Sequence, residues 1–224
     1  AQTTAITGGK VVIGDGSAPI EGGTVLIRND RVVAAGANVT IPADARRIDA
    51  TGKWVTPGIF AGFSRIGLVE VGAVTQTNDM NASGSPFSAA LDVQYAINPF
   101  ASAVAVNRAA GVTRAVVSPS TAGSIFAGYG AIVDLGQDEN PITKARAFQF
   151  VELGETGHSR AGGSRSASHI HFRALLDEAR TYARNPAAFD SDLLKASDAK
   201  ALLPLINGST KLLVHVESAN DILK

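Results

Sequence analysis

Four histidines are the residues of this sequence best suited to move a proton or hold a metal ion: His158, His169, His171 and His215. Cysteine is absent, which excludes disulfides, thiolate metal sites and a cysteine nucleophile. His169-Ile170-His171 would share one face of a strand and so offer two ligands to one ion. The pair instead opens a helical pattern of Phe172, Leu175, Leu176, Ala179 and Ala183. Two residues apart on a helix is about 200° of rotation. The pair therefore reads as helix-start histidines beside a loop. His215 lies at the C-terminal end of the predicted strand Lys211–Val216, with Glu217 on the same face. In an α/β barrel that end of a strand carries the active site. A hydrogen-bonded core histidine is the competing reading, and both stay open on six residues of pattern.

Other candidates carry less. Gly123, Gly128 and Gly130 make Ser120–Ile132 a Gly-rich loop, without the Gly-Lys-Ser/Thr of a phosphate loop. They read as close backbone packing or a tight turn. Arg160, Arg165 and Arg173 read as a solvated face, with an anion contact as the alternative. No Gly-x-Ser-x-Gly nucleophile elbow occurs.

These residues must be positioned by two kinds of texture. Up to about residue 50 the chain reads as short strands at Lys10–Ile13, Thr24–Arg28, Arg31–Ala35 and Arg46–Asp49, with Asn29-Asp30 as a two-residue hairpin loop. From Trp54 onward, strand and helix patterns alternate. Asn98-Pro99 predicts a helix start and Gly111 its stop. Val112–Ser118 reads as a buried strand, and the strand–helix–strand order predicts a parallel sheet or barrel. Glu155–Ser168 reads as a mobile, lid-like loop from its Gly, Ser and Arg content. A later helix is expected over Leu193–Ile206, ended by Gly208.

Composition narrows the class. Of 224 residues, 45% are hydrophobic and 18% charged, enough for a packed core. Lys plus Arg is 20 and Asp plus Glu is 20, which argues against a nucleic-acid partner. No apolar run approaches the roughly 18 residues of a membrane span. The start Ala1-Gln2 resembles a mature end left by signal peptidase, so a periplasmic or extracellular location is expected.

The order of pieces then becomes recognisable. The entry Asp49-Ala50-Thr51-Gly52-Lys53-Trp54-Val55-Thr56-Pro57-Gly58 resembles the amidohydrolase superfamily. The later segments resemble its imidazolonepropionase-like branch: Asp79-Met80-Asn81, Ala96-Ile97-Asn98-Pro99-Phe100, Ala110-Gly111-Val112-Thr113, Gly123 to Gly130, and Val214-His215-Val216 with Ala219-Asn220-Asp221-Ile222. The resemblance implies an α/β chain with a small β-sandwich portion over 1–54. The N-terminal part of a (β/α)8 TIM-like barrel would follow over 55–224. It also implies a metal-dependent hydrolase of non-peptide C–N bonds, and only the first half or so of a typical member.

The family's Asp-x-His-x-His falls on Ala61, Phe63 and Arg65, so its two first-strand ligands are missing. Phe150 falls on the position of the metal-bridging Lys, and Glu217 on that of a second His. His215 is the one matching metal ligand. The family uses zinc or another divalent metal; none is expected in this chain. Arg65 is the candidate substrate-binding residue, gripping a carboxylate of a small-molecule ligand or pairing with Glu70 or Glu217. No catalytic residue is assigned. The alternative function is a non-catalytic binding or partner subunit of an active relative. An oligomer, or completion by another chain segment, is expected because an interrupted barrel leaves open edges.

Overall fold

The computed structural model describes residues 2–136 and 138–224. The chain divides into two compact units, Ala1–Gly58 and Ile59–Lys224.

The first unit is built on one five-stranded sheet. Its strands are β1 (Thr3–Val11), β2 (Ile20–Arg28), β3 (Arg31–Gly36), β4 (Arg46–Asp49) and β5 (Trp54–Val55). The order is β3-β2-β1-β4, and β5 also pairs with β1. β2 runs antiparallel to β1, whereas β4 and β5 run parallel to it. The β2–β3 hairpin turns at Asn29 and Asp30 as expected, with φ of 51° and 59°. Those left-handed values are tolerated best by Asn, Asp and Gly. The strand expected over Lys10–Ile13 begins at Thr3. Before Lys10 it holds Thr, Ala and Gly with Ile6 as its one large apolar residue, so its pattern is faint although it lies within the sheet.

The second unit is mixed α/β. Its sheet contains β6 (Ile59–Ser64), β7 (Val112–Val117), β8 (Phe126–Asp134), β9 (Ile142–Glu152) and β10 (Lys211–His215), in the order β10-β9-β8-β7-β6. Pairs β6–β7 and β9–β10 are parallel; β8 is antiparallel to both neighbours. The β6–helix–β7 unit is parallel as expected, but the antiparallel β8 departs from the all-parallel order of the expected barrel. The link from β8 to β9 is too short for a helical crossover, so the chain doubles straight back. It also corrects the Gly-rich loop, because Gly128 and Gly130 lie within β8. A Cβ at Gly130 would stand 2.0 Å from the Phe148 ring, so glycine here makes room for a core side chain.

Helices α1 (Ser102–Ala109), α2 (Glu155–Arg160), α3 (Arg165–Arg184), α4 (Ala196–Ile206) and α5 (Ala219–Ile222) complete the unit. α1 starts at Ser102, not at Pro99. Asn98 instead accepts the Phe100 N–H at 2.8 Å in a turn of its own. The segment Glu155–Ser168, expected to be a mobile loop, is α2 followed by the first turn of α3. The Ser164 hydroxyl caps α3 by accepting the Ala167 N–H.

One face of the sheet packs on these helices. Phe126, Val151 and Leu153 meet Leu175 and Ala179 of α3 and Ala199 and Leu202 of α4. Ala115, Val117, Ala131 and Val133 meet Val104 of α1. The other face carries Ala127, Phe148 and Phe150, with Val116 and Leu213 against them. Alternation along β9 assigns Phe148, Phe150 and Glu152 to this second face.

Candidate functional site

β9 and β10 end side by side, with Glu152 opposite His215 in parallel register. Both are the last residues of their strands, so their side chains reach the rim together. Glu152 Oε2 lies 2.8 Å from His215 Nδ1, and its Oε1 accepts the Gly154 N–H at 3.1 Å. Glu152 is buried, with 6% of its surface exposed. A buried carboxylate that accepts two hydrogen bonds escapes the desolvation cost of an unpaired charge.

Glu217 lies beyond the strand rather than on it, because β10 stops at His215. Its Oε2 accepts the Glu155 N–H at 2.9 Å, at the start of α2, and its Oε1 lies 3.9 Å from His215 Nδ1. Gly154 permits this approach: a Cβ there would come within 1.6 Å of Glu217 Oε2. Glu152, His215 and Glu217 offer ligand atoms that all lie within 4.8 Å of one another. Among the described residues this is the one such group of three.

The faces of the imidazole are apolar. The Phe63 ring stacks on His215 with centroids 5.5 Å apart, and Phe150 lies at 6.3 Å. Phe63 and Phe150 are 6.2 Å from each other. Arg65 falls just past β6 and its guanidinium stands 5.6 Å from the Phe63 ring centroid, a cation–π contact. Among the described residues no carboxylate reaches Arg65 within ion-pair distance, which corrects the expected pairing with Glu70 or Glu217. Glu70 accepts from the Asn98 amide instead. His169 and His171 lie in α3, outside the Glu–His–Glu group.

A second network steadies the segment that carries Glu217. Arg165 Nε lies 2.5 Å from Asp221 Oδ1, and the Ser218 hydroxyl donates to Asp221 Oδ2 at 2.7 Å. The Arg165 bond, then that from Ser218, lowers the Asp221 carboxyl from 3.8 to about 2. A lowered folded value means that the clamp stabilises the fold fully above about pH 3.8 and is lost as the pH falls through about 2. In Arg165→Gln the Asp221 midpoint is expected to move back toward 3.8, read from side-chain carboxyl NMR shifts across a pH titration. An unmoved midpoint would show that Arg165 is not its cause.

Sequence reasoning missed Glu152 as a site residue and Arg165 as an ion-pair partner. The alternation of Phe150 and Glu152 at a strand end was available as a signal. The partner strand that gives Glu152 its meaning begins about sixty residues later.

No family model matches the sequence, and no curated protein matches it. Among solved structures, an amidohydrolase from Thermotoga maritima MSB8 superposes with a TM-score of 0.81 and 23% identity, over 98% of this chain and 60% of that one. Molinate hydrolase matches at 34% identity over only 31% of this chain, with a TM-score of 0.28. The chain thus spans about 60% of the length of the Thermotoga protein and has an amidohydrolase-like fold.

Proposed function

We propose that this chain is the N-terminal part of an exported amidohydrolase, a hydrolase of non-peptide C–N bonds, with an impaired metal site. The observation that carries the reading is the Glu152–His215–Glu217 group at adjoining strand ends of an amidohydrolase-like fold. One imidazole and two carboxylates suit a single divalent ion such as zinc, which takes three protein ligands at catalytic sites. A bound ion would supply Lewis acidity at the substrate carbonyl. The chain's own residues hold the donors in place: Glu152 fixes the imidazole through Nδ1, and the Glu155 N–H orients Glu217. Phe63 and Phe150 place apolar rings beside the imidazole. Phe63 and Arg65 add no ligand, so a two-ion site is not supported.

A TIM-like barrel that includes the antiparallel β8, and a β-sandwich, each completed by a further segment or another chain, belong to the same proposal. In its favour, Ile59, Phe60 and Val214 on the two edge strands of the second sheet are exposed. A non-catalytic binding subunit is the second reading, favoured by the Phe63 ring stacked on the imidazole. The full-length protein separates the two by elemental analysis together with turnover of N-acyl and cyclic amides. About one equivalent of bound metal and turnover abolished by His215→Ala are expected for the hydrolase. Metal-free protein without turnover, even after zinc is added, would leave the binding subunit.

A further inference from the structure

A cavity of about 240 Å³ lies away from the Glu–His–Glu group, between the segment preceding α1, the β7–β8 connection and the start of α4. Its most telling lining residue is Asp198, in the first turn of α4 and 2% exposed. Asp198 Oδ1 accepts the Ser88 N–H at 2.9 Å and the Ala90 N–H at 2.8 Å. Oδ2 takes no hydrogen bond among the described residues. Nor is it sealed in: among the described residues the buried side-chain atoms without partners are Ser118 Oγ, Gln149 Oε1 and His158 Nε2. A buried carboxylate oxygen that is accessible and unbonded, on the wall of a cavity, is an acceptor awaiting a donor.

The surroundings define that donor. No side chain caps α4, so its free N–H groups and the positive end of its dipole lie in the same turn as Asp198. With the two loop N–H groups they support the carboxylate's charge, and Lys195 also lines the cavity. Hydroxyl donors suit the open Asp198 oxygen. The remaining polar wall comes from Ser85, Ser88, Ser120 and Ser124, with Asp192 as a second carboxylate. Ser85 and Ser124 accept from the Phe87 and Phe126 N–H groups, which leaves their O–H groups free to donate. The exposed Phe87 ring supplies an apolar platform. The volume falls below the roughly 300–1,000 Å³ of sites for drug-sized ligands.

We infer that this cavity is a binding site for a small neutral polyol, of the size of a four- to six-carbon sugar or sugar alcohol. The inference is independent of any hydrolase activity. The test is calorimetric titration of the full-length protein with glycerol, erythritol and D-glucose, and with methylammonium as a cationic control. Saturable binding of at least one polyol is expected. Asp198→Asn keeps an oxygen for the loop N–H groups and should weaken binding about tenfold or more, the loss of a hydrogen bond to a charged group. Ser120→Ala with Ser124→Ala leaves the Asp198 bonds untouched and should weaken it at least about threefold. It serves as the variant if Asp198→Asn does not fold. No polyol binding at about 50 mM, or affinity unchanged in the variant that folds, overturns the site. Methylammonium binding in place of the polyols overturns the ligand class.

Discussion

Phe63→His is expected to raise zinc affinity by more than about tenfold, since outer-shell partners alone contribute roughly 10–100-fold. The Phe63 ring stacks on His215 at 5.5 Å and belongs to the same apolar wall as Phe150. An imidazole in its place adds a nitrogen beside one imidazole and two carboxylates. The donor set rises from three to four, the number zinc prefers in closed sites. Calorimetric titration of zinc into the wild-type and variant proteins reads the change directly. Equal affinities would show that position 63 does not face the ion-binding group, and the proposed metal site would lose its support. Arg65→His is expected to do less, because Arg65 has left the strand and its guanidinium meets the Phe63 ring.

Phe150→Ala is expected to destabilise the protein by about 3–5 kcal/mol, the usual cost of emptying a buried phenylalanine site. Phe150 is 1% exposed and packs with Phe148, Ala127 and Leu213 on the face of the sheet that bears His215. Its loss removes one of the two rings beside the imidazole as well as core volume. Phe150→Leu keeps most of that volume and should cost less than about 1.5 kcal/mol. Urea denaturation measures both. A cost for Phe150→Ala below about 1 kcal/mol would mean that the site floor is supported elsewhere.

Much of this was legible before any coordinates. The two-residue turn at Asn29-Asp30 follows from residues that tolerate positive φ. Gly111, with φ of 96°, and Gly208, with φ of 78°, end helices where their backbone freedom requires it. The helix carrying His169 and His171 and the strand ending near His215 follow from the 3.6- and 2-residue periods. The segment Glu155–Ser168 was not legible as helix. Its Gly and Ser residues have weak helix propensity, and its order comes from contacts far along the chain. Those are Glu217 accepting at the start of α2 and Asp221 pairing with Arg165.

By itself, then, the sequence determined the local elements and the absence of thiol chemistry. It also singled out His215. Only the tertiary structure decided what surrounds that histidine. Glu152 is 63 residues away, and it becomes a partner because β9 and β10 pair in parallel with 152 opposite 215. The antiparallel insertion of β8 and the uncommitted oxygen of buried Asp198 were decided there too. Each depends on strand order and long-range register, which arise from burying side chains against one another and leave no trace in neighbouring residues.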